Sequence, residues 1–236
     1  MISVPKVTVL MSVLNGDRYL SQSIDSILNQ TFTDFEFLIV DDGSTDGTWR
    51  TLVDYSSRDT RLALIRNEKN VGLTKSLNKG LKMARGKYIA RQDADDVSLP
   101  ERLETQVRFL EDHQRVGLMG SLSYVLDEND RVFDMYWVPS NDDHIRWALL
   151  FSNPFVHGTV MFRRSLIQNV GFYNDEVSFA QDYDYWARIS DVAPVANIAK
   201  PLASWRLNMS GISQMSGHRQ QASALRTSID QVSKWI

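Results

Sequence analysis

Three short acidic runs carry the residue types that could do chemistry in this chain: Asp41-Asp42-Gly43 in VDDGSTDGT, Asp93-Ala94-Asp95-Asp96 in ARQDADDV, and Asp182 in AQDYDYWARI. Adjacent carboxylates repel, so something must use them. A carboxylate at a strand end can accept hydrogen bonds from the imide of a uracil-type base or from ribose hydroxyls, and Gly43 permits close approach. Asp93 and Asp95 form an Asp-x-Asp pair, whose hard oxygens suit Mg²⁺ or Mn²⁺ bridging to phosphate. Plainer readings stand beside these. Asp46 or Ser44 caps the following helix, Asp96 or Ser98 caps the helix at Pro100, and Asp182 serves as an N-cap.

Such acids need a scaffold. VTVLMSVLN (7 to 15) is a continuous apolar run of strand length, followed by an Asn15-Gly16 turn and by Leu20, Ile24, Ile27 and Leu28 at helical spacing. The alternation returns as strand 35–40, helix 47–57, strand 62–67, helix 73–84 and strand 87–91. Unbroken apolar strands alternating with helices imply right-handed crossovers and a parallel sheet, whose ligand crevice lies beyond the carboxyl ends of the strands. Both leading acid runs fall there. After Pro100 the pattern becomes α+β. It reads as helix ERLETQVRFLEDH, a hairpin turning at Asn129 and Asp130, a capped helix in VPSNDDHIRWALLFSNP, strand GTVMFRR and helix FAQDYDYWARIS. From about residue 206 the chain is polar and weakly periodic, a tail expected to dock on something outside it. One compact α/β domain with two unlike halves follows.

At 236 residues and 43% hydrophobic content the chain can bury a sizeable core. A net charge of -3 gives no excess of cations for phosphate-backbone binding, so no nucleic-acid partner is expected. Cysteine is absent, which excludes a disulfide framework and thiolate metal sites and suits the cytoplasm. Neither a secretory leader nor a run of bilayer-spanning length is visible.

The acid runs, in this order and separated by NVGLTKSLNKG, resemble the family 2 glycosyltransferases of the GT-A fold. The likeness extends over about residues 5 to 205 and includes LNGDRYLSQSIDSILNQTFTDFEFLIVDDGSTDGT, LPERL, NPFVHGTVMFRR and FAQDYDYWARI. It implies a nucleotide-binding half at about 1–97, an acceptor-binding half at about 98–205 and a tail at about 206–236. By this resemblance Asp42 binds the base, Ser12 and Asn15 line the nucleotide, and Asp93 holds ribose or metal. Asp95 coordinates Mn²⁺ or Mg²⁺, Lys75 adds positive charge near the phosphates, and Asp182 is the general base. His157 contacts acceptor or phosphate. The implied reaction is inverting transfer from a nucleoside-diphosphate sugar, a UDP-sugar, to a glycan or lipid-linked acceptor. Such acceptors imply peripheral association with the inner face of the cell membrane.

Departures from the family pattern are visible. Gln181 stands where Glu often precedes the base, which removes one negative charge beside Asp182. Asn208 occupies a position that in many relatives is a His able to complete the metal shell, so either metal binding is weaker, water fills the gap, or His218 substitutes. Leu14 replaces an aromatic that stacks on the base. Trp137, Trp147 and Phe155 stack on sugar or fill the core. Two other readings stand open. A nucleotide-sugar-binding module without turnover would fit the departures. DADDV also matches the motif of haloacid-dehalogenase-type phosphatases, with Asp93 as phosphorylated nucleophile, but that fold places it on the first strand and here four precede it.

Overall fold

A computed structural model gives the structure of residues 4–127, 129–177, 179–207 and 217–234. Strands β1 (Val7–Val13), β2 (Phe35–Asp41), β3 (Leu62–Arg66) and β4 (Tyr88–Arg91) form a parallel block in the order β3-β2-β1-β4. Helices α1 (Leu20–Leu28), α2 (Thr48–Arg58) and α3 (Leu73–Met83) connect them. β1 and β2 are buried at every position, as expected of strands covered on both faces. Leu10 faces α3 and the core beneath it, while Val9 and Met11 face α1 and a second core on the other side. That alternation follows from the two-residue period of a strand.

The second half completes the same sheet with mixed polarity. Short β5 (Val97–Ser98) follows the Asp-x-Asp turn and precedes α4 (Arg102–Asp112). β6 (Leu118–Leu126) and β7 (Val132–Tyr136) form the expected antiparallel hairpin, with Asp130 in the left-handed region at its turn. α5 (Asp142–Ala148) is capped by Asn141, whose side chain accepts from the His144 amide at 2.9 Å. β8 (Met161–Arg163) runs antiparallel to both β4 and β6 and so joins the two halves. Short α6 (Ile167–Val170) and α7 (Gln181–Ser190) follow.

Two elements differ from expectation. β9 (Val195–Arg206) runs parallel to β6 across two register shifts and also pairs β5. The tail contains a long helix, α8 (Gly217–Ser233), that packs on α7 of its own chain. Its Ser228 hydroxyl donates to the Leu150 carbonyl, and Lys234 pairs with Asp191.

Candidate functional site

The adjacent acids at the end of β2 point to different partners. Asp41 is fully buried, accepts from the Ser44 amide at 3.1 Å and pairs with Arg66 Nε at 3.1 Å. Asp42 accepts from Asn67 Nδ2 at 2.8 Å, the Val71 amide at 3.0 Å and the Gly72 amide at 2.9 Å. Its carboxylate thus gathers the loop after β3. A carboxylate offers about four acceptor directions, so one remains for a ligand N–H. Gly43, at φ 78°, lets that loop close down: a Cβ here would lie 2.6 Å from the Lys69 carbonyl carbon. Asn15, also left-handed, stitches the neighbouring turns. Its amide donates to Ser44 Oγ at 2.9 Å, and its Oδ1 accepts from the Thr45 amide at 2.9 Å.

At the end of β4 the acids are held by arginines. Arg91, wholly buried, donates from Nη2 to Asp93 Oδ1 at 2.6 Å and from Nε to His157 Nε2 at 2.9 Å. Because a guanidinium only donates, His157 Nε2 must accept, which leaves the ring proton on Nδ1. That nitrogen lies 3.8 Å from Asp93 Oδ2. Burial and then the Arg91 charge lower the His157 pKa, against the opposite pull of Asp93 and Asp182, so the ring is neutral at pH 7. Burial alone would raise Asp93, but the charges led by Arg91 hold its carboxyl below the usual range. Asp96 goes the other way, since burial, then Asp93 and Asp95, push it well above that range. Its Oδ1 accepts from the Arg206 amide at 3.0 Å, and Arg206 Nε donates to the Asp95 carbonyl at 3.0 Å.

One segment carries the connection across the sheet. In NPFVHG (153–158), Asn153 Nδ2 donates to Asp182 Oδ2 at 2.8 Å, while four residues on His157 meets Arg91 and Asp93. Gly158 closes the gap: a Cβ there would lie 2.5 Å from Asp96 Oδ2 and 3.3 Å from Asp93 Oδ2. Buried Tyr173 feels the charges of Asp182, Asp93 and Arg91 together, and its hydroxyl is 3.4 Å from His157 Nε2. Asp182, from the second half, therefore shares a site with the Asp-x-Asp turn of the first. This turn offers three carboxylates, with Asp93 Oδ1 and Asp96 Oδ1 already accepting protein hydrogen bonds. Among the described residues no three His, Cys, Asp or Glu converge into a closed cation cage. Asp95 with Asp93 Oδ2 suits a hard cation that fills its shell with phosphate oxygens and water.

Residues 8–171 match the model of glycosyl transferase family 2. The chain belongs to that family. The amylovoran biosynthesis glycosyltransferase AmsE of Erwinia amylovora is 32% identical over 89% of this chain and 79% of its own length. Two solved structures show the GT-A fold. Mannosyltransferase PcManGT from Pyrobaculum calidifontis, in complex with GDP-Man and Mn²⁺, superposes with a TM-score of 0.74 at 19% identity. S. aureus TarS 1-349 in complex with UDP gives 0.71 at 20%. They cover 99% and 96% of this chain, which spans 65% of each of them.

In this family 2 chain the remaining candidate residues scatter more widely. Ser12 is buried on β1 beside Val40, and Lys75 is exposed on α3. Leu14 is 42% exposed, leaving its position open to a ligand. Asp182 is not the N-cap of α7: Ala180 holds that place in a left-handed conformation, and Asp182 lies in the first turn. Asp184 instead pairs with Arg188 at 2.9 Å. Trp137 and Trp147 are exposed, whereas Phe155 is core and packs edge-on against Trp186. Asn208 lies outside the described residues, and of His218 only the helical backbone is described. Sequence reasoning missed Arg91, Asn153, Tyr173 and Arg206. A cation inside strand KYIAR was the available signal for Arg91, because an arginine in a two-sided strand needs an acidic partner.

Proposed function

We propose that this chain is a single-domain, inverting, metal-dependent glycosyltransferase that moves a sugar from a UDP-sugar to a hydroxyl of a glycan, polysaccharide or lipid-linked acceptor. The carrying observation is the 153–158 segment, which holds Asp182 through Asn153 and reaches the Asp93 turn through His157 and the Arg91 that bonds both His157 and Asp93. Asn153 holds Asp182 Oδ2, leaving Oδ1 to take the proton of the attacking hydroxyl, and a single displacement from that side inverts the anomeric centre. Asp42 keeps one acceptor direction for the base imide, beside a loop it has already ordered. Asp95 and Asp93 would hold Mn²⁺ or Mg²⁺, which when bound offsets charge developing on the departing diphosphate. Arg91, itself bonded to neutral His157, keeps the Asp93 carboxylate aimed. AmsE is named for amylovoran biosynthesis, and the two solved relatives hold UDP in one case and GDP-Man with Mn²⁺ in the other. Among the described residues no helix is long and apolar enough to cross a membrane. A lipid-linked acceptor belongs to the same reading, met at the inner membrane face.

The test is nucleotide release from a panel of UDP- and GDP-sugars with saccharide acceptors. Asp182→Asn is expected to lower release about 100- to 10,000-fold, the range of a lost general base. Binding of nucleotide without release under any acceptor would favour a binding module instead.

A further inference from the structure

At the amino-terminal end of the sheet, away from every acid described above, lies a cavity of about 650 Å³. Its wall carries six cations, Lys6, Lys82, Arg85, Lys87, Arg163 and Arg164, and one carboxylate, Asp34. Strand register explains their crowding. Val7 pairs with Tyr88, and Tyr88 with Arg163, so Lys6, Lys87 and Arg164 stand in a row one residue beyond the ends of three adjacent strands. The Tyr88 amide donates to the Lys6 carbonyl at 3.1 Å and the Arg164 amide to the Lys87 carbonyl at 3.0 Å, which fixes that row. Like charges placed directly opposite are unfavourable in a sheet.

Local neutralisation is incomplete. Lys6 and Lys87 share the single carboxylate of Glu111, at 2.7 and 2.9 Å, and Arg85 pairs with Glu36. Lys82 lies 5.5 Å from the centre of the Phe172 ring. Arg163 donates to the carbonyls of Leu110 and Val116, and Arg164 to that of Gly86. None of these last three has a carboxylate partner among the described residues. In a chain of net charge -3, this end of the molecule therefore holds a local positive surplus. Between the cations the wall is apolar, including Leu81, Ala84, Ile167 and Phe172.

We propose that this cavity is a second binding site, for a phosphoryl group carried on an apolar body. Lys82 and Arg164, exposed and without carboxylates, supply the anion contacts, and the apolar wall takes the attached chain. β1 is seven residues long, so the site stands about 20 Å from the acid turns at the rise of a strand. It does not depend on the transfer chemistry proposed above.

Two probes separate the sources of such a group: inorganic phosphate, and vesicles of phosphatidylglycerol with phosphatidylcholine compared with phosphatidylcholine alone. The exposed pair Lys82→Glu/Arg164→Glu is compared with Arg50→Glu/Arg226→Glu, an equal charge change outside the cavity. Wild type is expected to co-sediment with the anionic vesicles only. The cavity pair should lower that affinity at least tenfold, the control pair less than threefold, with unfolding midpoint and nucleotide release unchanged in both. A phosphate-dependent rise in unfolding temperature that the cavity pair abolishes, without vesicle binding, would support the same site and assign it to a soluble phosphoryl ligand. No response to either probe, or equal losses in both pairs, would overturn the proposal.

Discussion

The acids at the ends of β2 and β4 are sequence look-alikes built on opposite principles. Asp42 is satisfied by two backbone amides and an asparagine, all from one loop, and Asp41 by a surface arginine and a turn amide. Asp93 instead depends on the guanidinium of buried Arg91, and Asp96 on the backbone amide of Arg206 in β9; both also meet NPFVHG, distant in sequence. Fixed dipoles hold Asp42, so its charge is matched wherever the loop is closed. In the second, the full charge of Arg91 holds Asp93 and also fixes the tautomer of His157. The difference teaches where each cluster is vulnerable: the first to local loop opening, the second to loss of one buried cation.

The strongest blow to this contrast should be Arg91→Met. Removing one partner of a buried ion pair costs about 3–5 kcal/mol, and here Asp93 and His157 lose their donor together. Urea unfolding should show that loss, along with weaker metal-dependent nucleotide binding. Asp42→Ala should cost about 2–3 kcal/mol, since its hydrogen bonds are to a charged acceptor. Its signature would be local, as faster amide exchange at Val71 and Gly72 than elsewhere. If Asp42→Ala instead loosened the whole fold as Arg91→Met does, the two clusters would not differ in kind. Gly158→Ala sharpens the comparison from the ligand side. Its methyl would press on Asp96 and Asp93, costing about 1–3 kcal/mol as overpacking does and displacing the second cluster without touching the first.

The smallest effect lies outside both clusters. Lys6 and Lys87 bring the Glu111 pKa down to about 2. A depressed carboxyl contributes stability above its unfolded value, near 4.3, and loses it as pH falls through about 2. Wild type should therefore exceed Glu111→Gln in urea midpoint at pH 5 and converge with it as pH approaches 2. Because Glu111 is partly exposed, solvent screening keeps the difference small.

Much of this architecture was readable from residue pattern. Strands and helices through Arg91 follow from apolar runs and helical spacing, and the hairpin at Asn129 and Asp130 from its turn residues. β9 escaped because Lys200 and Pro201 interrupt its apolar run, and the sheet accommodates them by shifting register against β6 at Ser121 to Ser123. α8 escaped because its face is inverted: Thr227 and Gln231 are buried while Leu225 and Ile229 are exposed, so hydropathy gives no helical stripe. In the site, the acids were legible as types at strand ends. Their partners were not, since Arg91 to His157 spans 66 residues and Arg206 to Asp96 spans 110. Only the sheet brings such residues together.

Calorimetric titration of UDP with and without Mn²⁺, on wild type, Asp95→Ala and Asp182→Asn, addresses the shared site most directly. Mn²⁺ is expected to strengthen UDP binding to wild type, Asp95→Ala to remove this gain, and Asp182→Asn to keep it within twofold while lowering sugar transfer about 100- to 10,000-fold. Equal binding losses in both variants, or UDP binding indifferent to Mn²⁺ in wild type, would contradict that shared site.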